Sequence, residues 1–173
     1  LHWSSPIPGN PSKKAIFYAL TRDFVTFSAP GILYEKEDSS VIDSAMYEQD
    51  GTFYLFVKSE AHPETIIMLR SGNPLEPFER ISRFDEEMSK LDQGKYEAPA
   101  AFRLPDGRWC LLLDYYGVPG KGQGYVPFVA DSLESGAFIR SGGFSFPYGF
   151  KHGTVLEISE ETCRALESLV IDD

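Results

Sequence analysis

Apolar positions fall in short runs separated by turn residues, each run of a length that strands use. Thr52-Phe53-Tyr54-Leu55-Phe56-Val57 follows Asp50-Gly51, and Arg108-Trp109-Cys110-Leu111-Leu112-Leu113 follows Asp106-Gly107. Both Asp-Gly pairs predict tight hairpin turns, because these residues accept positive φ. Upstream of each pair a further strand is predicted, over residues 41–47 and 96–102. Downstream, residues 65–71 and 124–130 read as strands, each followed by a turn-rich segment that ends on an aromatic, Phe78 or Phe138. Residues 15–27 fit the same slot, and residues 151–158 restart the first one. Residues 159–169 predict a short helix with Ser159 as N-cap, Glu160 and Glu161 in its first turn, and a buried stripe of Cys163, Leu166 and Leu169-Val170. Residues 10–14 and the glycine-rich 117–124 read as loops. The latter lacks the spacing and the strand-to-helix setting of a phosphate cradle.

The two Asp-Gly pairs lie 56 residues apart. A repeat of that length carrying four strands is the pattern of a propeller blade. The expected fold is all-β, a β-propeller of four-stranded blades with a short C-terminal helix. The chain holds strands two to four of one blade, two full blades, and strand one of another, about three blades' worth. The expected division is residues 1–37, 38–84, 85–141 and 142–173. The first strand of each blade lines the central axis, so polar residues on successive first strands converge. Asp43, Glu97 and His152, spaced 54 and 55 residues apart, are therefore expected around one hub. Closed propellers use four to eight blades. An open arc exposes a strand edge and an apolar blade face. Either further blades precede Leu1 in a longer protein, or the chain forms a homo-oligomer that closes the ring.

Composition narrows the partners. A chain of 173 residues that is 42% hydrophobic has enough apolar material for one core. The net charge of −10 excludes a nucleic-acid or anionic-membrane surface, and no apolar run is long enough to span a membrane. Neither a basic nor an apolar leader stretch is seen at the start, which leaves cytoplasmic and secreted locations both open. Cys110 and Cys163 are expected as buried free thiols, since no CxxC pairing exists. Asp92, Asp114 and Asp131 read as loop or turn acids, and His2 and His62 as surface residues. Trp3, Tyr96, Tyr148 and Phe150 are aromatic candidates for stacking on a sugar ring.

The segments Val41-Ile42-Asp43-Ser44-Ala45-Met46, Tyr96-Glu97-Ala98-Pro99-Ala100-Ala101-Phe102 and Lys151-His152-Gly153-Thr154-Val155 resemble, in order and spacing, glycoside hydrolase family 43. Residues 18–28 are similar to that family's blade ending. The family consists of five-bladed propeller glycosidases acting on arabinose- and xylose-containing polysaccharides. The resemblance implies Glu97 as general acid, with Ala98 in place of the usual glycine, and Asp43 as the residue that orients the acid and tunes its pKa. It implies that the third carboxylate, the general base, lies on a blade preceding Leu1. His152, Trp3 and Tyr96 are then the substrate-binding candidates. The resemblance also implies a histidine at His152 beside a water-held structural calcium, with no cofactor required for the chemistry; Lys151 stands where an arginine is common.

These residue types suit glycoside cleavage. The leaving oxygen needs a proton, and the anomeric carbon needs a nucleophile, which in an inverting enzyme is water activated by a second carboxylate. The acid must hold its proton near neutral pH, and a neighbouring carboxylate such as Asp43 favours that. The expected function is an inverting glycosidase on pentose-containing oligosaccharides, its base supplied from outside this chain. Two alternatives are a catalytically inactive fragment that self-assembles into a ring, and a sugar-binding module.

Overall fold

The computed structural model describes residues 1–75, 77–92, 95–116, 124–143, 146 and 149–169. Its strands form three antiparallel sheets. The first contains β1 (His2–Ile7), β2 (Asn10–Tyr18) and β3 (Gly31–Tyr34), in that order. The second contains β4 (Val41–Gln49), β5 (Thr52–Ser59), β6 (Thr65–Ser71) and β7 (Glu79–Arg80). A helix, α1 (Ser82–Met88), leads to the third sheet of β8 (Tyr96–Arg103), β9 (Trp109–Tyr115), β10 (Gly124–Ala130) and β11 (Ile139–Arg140). A second helix, α2 (Glu160–Glu167), follows near the C-terminal end. This is an all-β, partial β-propeller of about three blades with a short C-terminal helix.

Alternation along β5 explains how the blades stack. Leu55 and Val57 face the first sheet and join Ile16, Val41, Ile67 and Leu69 in one core. Tyr54 and Phe56 face the third sheet, packing with Phe84, Trp109, Leu111, Phe128 and Phe138 in a second, larger core. A strand buried on both faces is apolar throughout, which is why the run after Asp50-Gly51 shows no polar alternation. Helix α1 spans the boundary expected between residues 84 and 85, and it was not anticipated. Its signal is the i, i+4 pair Phe84 and Met88, both buried in the interblade core.

Local differences from expectation have identifiable causes. Residues 10–14 are not a loop but the start of β2: the chain reverses at Pro8-Gly9, where Gly9 has φ +83°, and Ile7 pairs with Asn10. Proline then glycine is a turn signal stronger than the polar residues that follow it. Asp50-Gly51 makes the tight turn, with Gln49 paired to Thr52. Asp106-Gly107 instead sits in a longer loop, Leu104 N donating to Arg108 O and Gly107 N to Leu104 O. Pro105 starts that turn early and Gly107, at φ +88°, closes it. Asp114 is no loop acid; it lies within β9, fully buried.

Among the described residues, 151–158 form no strand. The segment is tied to the third sheet at one point, where His152 N and Gly153 bond to Asp114 and Tyr125, so it runs alongside without a ladder. Helix α2 has the expected cap, Ser159 Oγ accepting from Thr162 N at 3.1 Å. Its apolar stripe is exposed rather than buried, with Leu166 at 54% and Leu169 at 68% exposure, and Cys163 is exposed too. The periodicity was right, but no described element packs against that face; Val170 lies outside the described residues. Cys110 is buried, as expected.

Candidate active site

Each axial strand carries a bulge near its start. In β4 the register shifts between Ile42 and Ala45, and in β8 between Glu97 and Ala100. At these bulges Asp43 (φ 50°) and Ala98 (φ 48°) adopt the left-handed conformation, and His152 does the same at φ 48°. Strand pairing therefore aligns Asp43 with Ala98, and His152 shares their backbone conformation. Glu97 aligns with Ile42, one residue off the equivalence read from sequence. Both strands carry the same bulge, so it does not shift their equivalence; pairing carboxylate with carboxylate gave a spacing of 54 where the ladders give 55.

The bulges turn backbone N–H groups into the hub. Asp43 N donates to Ser4 Oγ at 3.2 Å, Ala98 N to Asp43 Oδ2 at 3.3 Å, and His152 N to Asp114 Oδ2 at 2.8 Å. Asp43, Ser44, Ala98, Pro99, His152 and Gly153 line a cleft of about 190 Å³. Glu97 does not itself line the cleft but touches the lining His152, with His152 Nε2 3.3 Å from Oε1 and Lys58 Nζ 3.1 Å from Oε2. Asp43, Glu97 and His152 are thus brought together, Asp43 through the backbone beside Glu97.

The aromatic candidates are not part of this cluster. Trp3 neighbours His2 and Ser4, which reach Ser44 and Asp43, so its own side chain points to the other face of the first sheet, stacked on Phe17 at 6.2 Å. Tyr96 is buried in the interblade core against Tyr115 and Phe128 and presents no ring to the cleft. In both cases strand alternation decides: a residue next to a hub-facing one faces elsewhere. Phe150 is exposed and does not line the cleft. Tyr148 lies outside the described residues.

Sequence reasoning missed three residues around the cleft. His2, taken for a surface residue, is half-buried with Nδ1 2.8 Å from Ser44 Oγ, and burial lowers its pKa. His62 is exposed as expected. Asp114 pairs across the ladder with Glu97. Burial raises its pKa, against the lowering effect of the His152 N–H, and its Oδ1 is buried without a partner. Lys58, only 5% exposed, reaches Glu97 from the neighbouring blade, and its Nζ also meets Tyr116 Oη at 2.9 Å. Burial pulls the Lys58 ammonium down, but hydrogen bonds to Tyr116, Glu97 and Glu64 outweigh it and hold it above an ordinary lysine. A signal for two of these was present: Lys58 and Asp114 each end a buried apolar run, 56 residues apart, the same offset as the Asp-Gly pairs.

Among the described residues no group of three or more His, Cys, Asp or Glu could hold an ion directly. Among them also no helix is long and apolar enough to cross a membrane.

The fold is a propeller arc with acids and a histidine gathered at its hub. The chain belongs to the family 43-related glycosyl hydrolases: the family profile, described as "Probable glycosyl hydrolase domain", matches residues 2–163. No curated protein sequence matches it. Among solved structures it is similar to the Bombyx mori GH32 β-fructofuranosidase BmSUC1, with TM-score 0.60 and 17% identity over 84% of this chain and 34% of that one. It is also similar to Zg3597, a family 117 glycoside hydrolase of Zobellia galactanivorans, with TM-score 0.52 and 15% identity over 75% of this chain and 41% of that one. At these identities the likeness is one of fold. The chain spans about a third to two fifths of the length of these structures.

Proposed function

We propose that this domain forms part of an inverting glycosidase site for arabinose- or xylose-containing oligosaccharides, with Glu97 as general acid. The observation that carries the reading is the Glu97 carboxyl held between Lys58 and His152, which lines the hub cleft, and one residue from the Ala98 N–H that Asp43 accepts. Glu97 gives its proton to the glycosidic oxygen as the bond to the anomeric carbon breaks. A water on the opposite face attacks that carbon, and its proton goes to a base carboxylate about 6.5–9.5 Å from the acid. That base comes from a blade outside these 173 residues. Asp43 fixes the backbone after Glu97 by accepting the Ala98 N–H. His152 is the substrate-side residue, more than half exposed and in reach of a sugar hydroxyl.

The test is hydrolysis of nitrophenyl arabinofuranoside and xyloside by the full-length protein, with Glu97→Ala beside it. Loss of a general acid costs about 10²–10⁴-fold. The loss is expected to be largest for poor leaving groups and small for dinitrophenyl glycosides, which leave without a proton. Activity that survives Glu97→Ala on every substrate overturns the assignment. Pentose binding by calorimetry without any turnover supports a sugar-binding module instead.

A further inference from the structure

Lys58 is a buried cation to which glycoside cleavage assigns no task. Its Nζ bonds Glu97 Oε2 at 3.1 Å and Tyr116 Oη at 2.9 Å, and stands 3.2 Å from Glu64 Oε2. Tyr116 Oη donates onward to Glu64 Oε2 at 2.8 Å, and the ammonium lies 4.6 Å from the Tyr116 ring centroid. An ammonium has three donors, and here all three are taken by protein. Lys58 therefore has none to spare for a sugar hydroxyl and is not a substrate contact.

An ammonium against the acid poses a conflict. When Glu97 carries its proton, a lone buried cation would lose its counter-charge, which is costly. The second carboxylate removes the conflict, because Glu64 keeps the ammonium paired whichever form Glu97 takes. We propose that Lys58 is the positioning residue of Glu97, clamped between two carboxylates so that Glu64 and Tyr116 hold its charge whenever Glu97 carries the proton meant for the leaving oxygen. The inference rests on Glu97 as the acid. As the glycosidic bond breaks, the proton passes from Glu97 to the leaving oxygen, and the new carboxylate strengthens its bond to Lys58. Glu97 is reprotonated from water in the next cycle, and Lys58 itself neither gains nor loses a proton.

The charged and titratable groups around the Glu97–Lys58 pair are Lys58 on β5, Glu64 before β6 and Tyr116 after β9, both on Lys58, Asp114 on β9, His152 on the C-terminal segment with Lys151 beside Asp114, and Asp43 on β4, which accepts from Ala98 N. Only the first two are changed in the test. In the full-length protein the high-pH limb of kcat/KM is compared for Lys58→Met, Lys58→Arg and Glu64→Gln. An opposite charge at this range moves a carboxyl by about one to three units. Lys58→Met is expected to move the limb up by about one unit or more, because the ionised acid loses its cation. Glu64→Gln is expected to move it down, because the cation then leans wholly on Glu97. Lys58→Arg leaves it in place. Limbs that stay fixed, or that move the same way in Lys58→Met and Glu64→Gln, overturn the proposal; a purely structural lysine would give that result. If Lys58→Met does not fold, Glu64→Gln alone decides by its direction. If the wild type turns over no glycoside, the glycosidase reading fails separately. The clamp is then read by ¹⁵N NMR as a slowly exchanging Lys58 ammonium signal that moves in both Glu97→Gln and Glu64→Gln. A signal that ignores Glu97→Gln overturns it.

Discussion

Ala98 shows what a single residue at the hub must tolerate. Its φ of 48° is a conformation that costs an L-residue about 1–2 kcal/mol, part of which glycine gives back through its freer unfolded chain. Ala98→Gly is therefore expected to stabilise the domain by up to about 1 kcal/mol, read as a higher urea midpoint with unchanged slope. Asp23 makes the opposite kind of contribution. Its carboxylate accepts from Thr26 N at 2.8 Å and Val25 N at 2.9 Å. These bonds, with those from the Thr26 and Thr21 hydroxyls, pull its pKa down to about 2 from an ordinary 3.8. A lowered carboxyl pKa stabilises the loop above the unfolded value, and that support is lost as pH falls from about 4 towards 2. Amide exchange at Val25 and Thr26 is expected to accelerate over that window relative to intrinsic rates, and to lose this pH dependence in Asp23→Asn.

At the scale of elements, the interface between the second and third sheets carries the larger share of the core. Phe56 makes edge contacts with Tyr47, Phe84 and Phe138 at centroid separations of 5.6–6.1 Å, and it is fully buried. Phe56→Ala is expected to cost about 3–5 kcal/mol, measurable by chemical denaturation, because a ring-sized void opens between two blades that cannot collapse onto each other. The strands that build this interface were legible in the sequence, since Asp-Gly turns and double-sided apolar runs announce them. So was the meeting of Asp43, Glu97 and His152. What was not legible follows from how side chains are aimed. Pairing Asp43 with Glu97 as carboxylates misplaced the equivalence by one residue. Alternation sent Trp3 to the outer face and Tyr96 into the core. Lys58 reaches Glu97 only across a blade boundary, which no local pattern reports. Asp114 was misread because an acid after three leucines resembles a strand end, whereas the ladder to Glu97 continues through it.

Among the described residues, the second and third sheets have four strands and the first has three, β1 pairing only with β2. The outer face of the first sheet aligns Trp3, Phe17 and Ile32 across its strands, and Phe24, Val25 and Phe27 in the β2–β3 connection stand exposed, Val25 at 79%. Apolar area of this kind drives association with whatever can cover it. The net charge of −10 opposes self-association between like-charged copies. The two effects separate with salt: screening weakens the repulsion, while burial of the apolar face is retained. The 173-residue chain by itself is expected to associate at micromolar concentration and to do so more strongly as ionic strength rises, as measured by light scattering. Ile32→Lys, which sets a charge in the middle of the face, is expected to return it towards monomer. A monomer at all salt concentrations, or association untouched by Ile32→Lys, would show that this face does not drive assembly.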